Sequence, residues 1–209
     1  MSRSHRIEPH RGSNCAIPTF VALLLAAVAS LASHRPAASQ PDPTAAPKPA
    51  DTEIAPRGQR EVKDIAYGGW KKLCFKPGGA KMICRISITG RFATGQVAVR
   101  VDIVEREGDA TARLQVFSPV GMYLPTPVKL TIDQGEPHLV PYTWCLTNAC
   151  IAGSMADPKM VKEMASGQTL RLEFVDSSLL TLSTSLPLGQ FAPAHQGAPA
   201  QTFEQDIDE

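Results

Sequence analysis

The sequence predicts an all-β protein: an antiparallel β-sandwich or barrel-like fold with one short helix, stapled by disulfides. Three observations carry this prediction. Short runs of alternating apolar and polar residues recur between about residue 65 and Leu186, with turn residues between them. The connections between runs are too short for the crossover helices that neighbouring parallel strands require. Four of the five cysteines form two local pairs, Cys74 with Cys84 and Cys145 with Cys150, with Trp70 and Trp144 close by.

The N-terminus has the layout of a secretory signal peptide, assigned to residues 1–32. Arg3, Arg6 and Arg11 precede an apolar stretch from Ala16 to Ala29, and Ser30-Leu31-Ala32 supplies small residues for cleavage. The stretch is shorter than the roughly 18 apolar residues of a membrane span, so no transmembrane segment is expected after cleavage. Cys15 lies ahead of the apolar stretch, where a lipoprotein cysteine would not be. Residues 33–62 are rich in Pro and Ala and lack periodicity, which predicts a disordered linker.

The domain is expected over residues 63–191. Its clearest strand runs from Gln96 to Glu105, where Val97, Val99, Val101 and Ile103 alternate with Ala98, Arg100, Asp102 and Val104. Glu107-Gly108-Asp109 is turn chemistry, and Ala112, Leu114 and Val116 mark the returning strand. Val128, Leu130 and Ile132 alternate with Lys129, Thr131 and Asp133. The segments from His138 to Leu146 and from Ala149 to Met155 pair around the second cysteine bend. One helix follows: Asp157 caps it, Pro158 suits its first position, Met160, Val161 and Met164 form its apolar side, and Gly167 ends it. Two strands close the domain, with Leu170, Leu172 and Phe174, then Leu180, Leu182 and Leu186, directed inward. Residues 192–209 are Pro/Ala-rich and end acidic, which predicts a disordered tail.

Composition narrows the function. A net charge of +1 gives no global footprint for nucleic acid, and 43% hydrophobic residues suffice for a core. Four cysteines allow three pairings. Cys74–Cys84 and Cys145–Cys150 are favoured, because a hairpin or tight bend brings near neighbours within bridging distance. A zinc site would use tighter spacing such as C-x₂-C, and a redox dithiol would want C-x-x-C beside a βαβ unit. Neither pattern occurs, and no cofactor or nucleotide motif does.

Catalytic candidates are weak. His138, beside Pro137, is the one histidine inside the expected domain and reads as a surface or packing residue. Ser154 in Ala-Gly-Ser-Met-Ala lacks the strand–turn–helix setting of a nucleophile elbow. Asp102, Asp133, Glu173 and Asp176 fall on polar strand faces, where solvation is the expectation. The charge pattern is more informative. No acid stands between Asp64 and Asp102, while Lys71, Lys72, Lys76, Lys81, Arg85, Arg91 and Arg100 all occur. The hairpin cations Lys71, Lys72, Lys76, Lys81, Arg85 and Arg91 are therefore candidates for contact with an anionic surface. A solvated face, or lysines that block edge-to-edge aggregation, is the plainer reading.

These residues give the chain a family resemblance from Tyr67 to Ala194. Gly69-Trp70 precedes Cys74 and Cys84. The pattern P-x-x-V-K-L-x-I-D-x-G runs from Pro125 to Gly135, and Cys150 is followed by Ile151-Ala152-Gly153. A helical D-x-x-x-V-x-x-M segment leads to Gly167, and Ser185-Leu186-Pro187-Leu188-Gly189-Gln190-Phe191 ends the stretch. In order and spacing the chain resembles the invasion-associated locus B proteins, exported by Gram-negative bacteria, although its ending carries one residue more than the family's S-L-x-G-F. The resemblance implies a small β-rich, disulfide-containing module of the periplasm or outer surface. The family is named for a member associated with entry into red blood cells, and the resemblance carries no catalytic residues over. The expectation is a non-enzymatic binding or envelope-associated module whose partner is an envelope or host-surface protein or an anionic glycolipid. An accessory subunit of another periplasmic protein, or a thiol-redox enzyme, is the alternative.

Overall fold

The computed structural model describes residues 55–205, so the signal-peptide assignment, most of the linker and the last four residues of the tail lie outside the described residues. Thirteen strands and two helices follow one another: β1 (Gly58–Glu61), β2 (Ala66–Tyr67), β3 (Lys71–Lys76), β4 (Ile83–Arg91), β5 (Val97–Arg106), β6 (Ala112–Ser118), β7 (Val128–Ile132), β8 (His138–Val140), β9 (Tyr142–Cys145), β10 (Cys150–Ala156), α1 (Pro158–Ser166), β11 (Thr169–Val175), β12 (Leu180–Pro187), α2 (Phe191–Gln196) and β13 (Gln201–Glu204). They build a five-stranded sheet in the order β1-β12-β11-β7-β8 and an eight-stranded sheet in the order β13-β3-β4-β5-β6-β10-β9, with β2 on β4. Both sheets have free edges, so the fold is a sandwich and not a closed barrel.

Period-two patterning fills the space between the sheets. Ile86 and Ile88 of β4, Val99, Val101 and Ile103 of β5, and Leu114 and Val116 of β6 are buried from one side. Val128 and Leu130 of β7, Leu170 and Leu172 of β11, and Leu186 of β12 meet them from the other. Leu180 and Leu182, expected to point into the core, are only half-buried, because their end of β12 is flanked by the fully exposed β1. Helix α1 matches its expected ends: Asp157 Oδ1 accepts from the Met160 amide at 2.7 Å, and Met160 and Met164 enter the core. Gly167 is there for space and not for backbone sign, since a Cβ would fall 2.8 Å from Ile132 Cγ2. At the tip of the β3–β4 hairpin, Gly79 takes a φ of 67°, the left-handed region that favours glycine.

Both terminal segments depart from the sequence expectation. Within the expected linker, residues 58–61 form β1, parallel to β12. Within the expected disordered tail, residues 191–196 form α2 and 201–204 form β13, parallel to β3. These edge strands bury almost no side chain. They form because a sheet edge offers unpaired backbone groups, a demand that leaves no trace in hydrophobic periodicity. Helix α2 is fixed by Phe191, which is fully buried against Trp70 in an edge-to-face contact at 4.9 Å. Trp70 Nε1 in turn donates to the Pro187 carbonyl at 2.8 Å. The extra residue before Phe191 therefore leaves the β11–β12 register intact.

Candidate functional site

Strand register defines the outer face of the eight-stranded sheet. One cross-strand row reads Leu73, Arg85, Val104, Arg113, Met155. The next reads Lys71, Ser87, Asp102, Gln115, Gly153, and a third reads Thr89, Arg100, Phe117, Ile151, Trp144. Both helices meet the sheet from its inner side, α1 through Met160 and Met164 and α2 through Phe191 and His195, whose partner Glu105 belongs to the inner face. The outer face thus carries Lys71, Arg85, Arg100 and Arg113 among exposed apolar groups: Phe75 and Phe203 at one edge, Met155 and Trp144 toward the other. Among the described residues of these strands, Asp102 is the one acid that register places there.

The six candidate cations of the hairpin do not form one surface, which corrects the sequence expectation. Lys71 and Arg85 share the outer face. Arg91 flanks it, with Lys71, Ser87 and Thr89 around a shallow groove of about 280 Å³, and its Nη1 donates to the Gly95 carbonyl at 2.8 Å. Lys72 points to the opposite side, where its Nζ donates to the carbonyls of His195 at 2.8 Å and Gly197 at 3.3 Å. Lys76 is on the same side as Lys72, opposite Glu204 of β13. Lys81 lies in the hairpin loop, facing Gly108. Alternation alone separates Lys71 from Lys72. Arg100 and Arg113, on the neighbouring strands, complete the outer set.

Asp102 contradicts the expectation of a solvated carboxylate: it is 1% exposed. Arg100 Nε stands 3.2 Å from its Oδ2, and the Arg100 guanidinium lies over the Phe117 ring, 3.7 Å from the centroid. Arg100 Nε and Asp102 Oδ1 are both buried without a hydrogen-bond partner. Burial pushes the Asp102 carboxyl above its ordinary 3.8, against the opposing charges of Arg100 and Arg85. An acid whose pKa is raised on folding lends stability while protonated and loses it as pH rises through the folded pKa. Asp102→Asn is therefore expected to melt above the parent protein at pH 7. The gap should close as pH falls below the ordinary 3.8, where the carboxyl becomes neutral in both states. A lower Tm at pH 7 in thermal melts would show that the Arg100 pair outweighs desolvation.

The other strand carboxylates are paired and not simply solvated. Asp133 accepts from the Gln168 and Thr169 amides, and Asp176 from those of Ser178 and Leu180. Glu173 is pushed up by burial but held below its ordinary value on balance by bonds from Lys129, at 2.9 Å, and Arg171, at 3.1 Å.

A second feature lies on the inner side. A cavity of about 620 Å³ opens between the sheet and the two helices, lined by Lys72, Cys84, Glu105, Val161, Lys162 and His195 among others. His195 Nε2 is 2.6 Å from Glu105 Oε1, and its ring stacks on Phe191 at 5.5 Å. His195 was expected in a disordered tail. The one sequence signal for it is its i,i+4 spacing from Phe191, which puts both on one helix face. Cys84 is bonded to Cys74 directly across the hairpin, and Cys145 to Cys150, so both favoured pairings are present. His138 begins the edge strand β8, 3.7 Å from Glu163. Ser154 sits inside β10, away from any strand-to-helix turn.

A sandwich with two strand-to-strand disulfides and an open face of cations and aromatics defines a disulfide-stapled β module of the kind built for extracytoplasmic compartments. Residues 70–199 match the family described as Invasion associated locus B (IalB) protein, more than half of the chain. The chain belongs to the invasion associated locus B family. Invasion associated protein B from Bartonella henselae, known from its crystal structure, is 21% identical to it. The match covers 63% of this chain and 90% of that one with a TM-score of 0.56, a likeness of fold. No curated protein matches the sequence. Strands β1 and β13 fall outside the family-matched residues. Among the described residues no helix is long and apolar enough to cross a membrane.

Proposed function

We propose that the protein is a non-enzymatic envelope module that docks on a phosphate-bearing lipid surface through the open face of its larger sheet. It works in the periplasm or at the outer surface, where disulfides persist. One observation carries the reading: Lys71, Arg85, Arg100 and Arg113 share a face with exposed Phe75, Phe203, Trp144 and Met155, and among the described residues that face has a single, buried acid. Cations attract lipid phosphates at about 1 kcal/mol each, and exposed aromatics suit the headgroup layer. A surface built only for solubility would mix both signs and hide its aromatics.

The test is co-sedimentation with phosphatidylglycerol vesicles against phosphatidylcholine vesicles. The parent protein is expected on the anionic vesicles only, with binding that weakens as salt shortens the screening length. Changing Lys71, Arg85, Arg100 and Arg113 together to Gln should weaken it several-hundred-fold, from four cations at about 1 kcal/mol each. Lys76→Gln/Lys81→Gln, away from the face, should retain most of the binding. Equal partition of the parent protein on both vesicle types would defeat the proposal.

A further inference from the structure

We infer that Arg85 and Arg100 form the phosphate subsite of the open face, and that Asp102, buried between their strands, is the residue that positions them. The inference rests on the lipid-docking reading and names the part of the face that grips the headgroup.

The geometry is specific. Register puts Asp102 directly opposite Ser87 on one side and Gln115 on the other, with Arg85 one diagonal step away on β4. Arg100 precedes Asp102 by two residues on the same strand and the same face. Its Nε faces the carboxylate at 3.2 Å, and the flat of its guanidinium rests on Phe117. The terminal nitrogens of Arg100, and the whole guanidinium of Arg85, have no hydrogen-bond or ion-pair partner among the described residues. A guanidinium whose Nε lies beside a carboxylate and whose face is stacked on a ring keeps its two terminal nitrogens for a ligand, the pair that meets two phosphate oxygens at once. Arg113 is also diagonal to Asp102, on β6, and the charges that oppose the burial of that carboxylate are those of Arg100 and Arg85.

The carboxylate is otherwise hard to account for. Buried charge with an unpartnered oxygen works against folding, and an unsatisfied buried group calls for a reason such as a site. Asp102 also sits on the one face that bulk electrostatics would keep free of acids if it attracts anions. A positioning role resolves both points. The buried carboxylate offsets the mutual repulsion of Arg85 and Arg100 and fixes where their forks point, so that little ordering is left for the moment of binding.

The two explanations give opposite signs in one experiment. If only net charge matters, Asp102→Asn makes the face more positive and tightens binding to phosphatidylglycerol vesicles. If Asp102 positions the arginines, the same variant weakens binding roughly fivefold. That is below the tenfold or more seen when the supporting partner of a buried ion ligand is removed, because this face is open to water. In an Arg100→Gln background, Asp102→Asn should then add little. Should Asp102→Asn fail to fold, three single variants decide: Arg85→Gln, Arg100→Gln and Arg113→Gln each remove one charge from the face. The first two are expected to lose roughly tenfold or more, and the third about fivefold, the roughly 1 kcal/mol of a single surface cation. Unchanged or tighter binding by a folded Asp102→Asn, or equal losses in the three arginine variants, overturns the inference while the lipid reading stands. No binding by the parent protein overturns both.

Discussion

Phe191→Ala is expected to lower the stability of the domain by about 3–5 kcal/mol, the usual cost of truncating a fully buried aromatic. Phe191 has no exposed surface, meets Trp70 edge-to-face and stacks on His195. Its loss empties the end of the core and removes the one fully buried side chain of α2. The consequences extend along the chain. The carbonyls of His195 and Gly197 that receive Lys72 belong to this helix and its cap, and the Ala200 amide bonds back to the Lys72 carbonyl before β13 begins. The variant should therefore show a large fall in the urea midpoint, together with early proteolytic cutting after Pro187. A loss below about 1.5 kcal/mol would mean that α2 and β13 are a frill that the cooperative core does not feel.

That prediction turns on a segment which the sequence presents as tail, and the contrast marks where sequence reading stops. The central strands were legible because each buries one face, and burial imposes the period of two seen in Val99, Val101 and Ile103 or Leu170, Leu172 and Phe174. Helix α1 was legible through Asp157, Pro158 and its methionines. The edge strands β1 and β13, with sequences Gly-Gln-Arg-Glu and Gln-Thr-Phe-Glu, bury nothing, so composition could not reveal them. The candidate site was legible in part. A run free of acids drew attention to the first hairpin, but clustering in sequence is not clustering in space: alternation sends Lys71 and Lys72 to opposite faces. Asp102 was the harder case. Its position on a polar face follows from periodicity, whereas its burial depends on which side chains register brings beside it, and register is a property of strand pairing.

Removing the Cys74–Cys84 disulfide as a Cys74→Ala/Cys84→Ala variant is expected to cost about 3 kcal/mol, and removing Cys145–Cys150 about 2 kcal/mol. The order follows from loop length: the first pair is ten residues apart and the second five, and a doubled loop adds about 0.6 kcal/mol of closure entropy. Burial acts in the same direction, since Cys74 and Cys84 are both buried while Cys145 is exposed. Urea midpoints of the two double variants under non-reducing conditions measure the difference directly. Equal losses or the reverse order would show that residual hairpin structure in the unfolded chain, and not closure entropy, sets the value of these bonds. The outcome bears on the open face as well. The first disulfide ties together the two strands that present Lys71 and Arg85, and the second holds the short edge strand that presents Trp144. If the face docks as one surface, the cysteine variants should bind anionic vesicles more weakly even at temperatures where they remain folded, because cations and aromatic anchors that sway independently must be ordered again on contact.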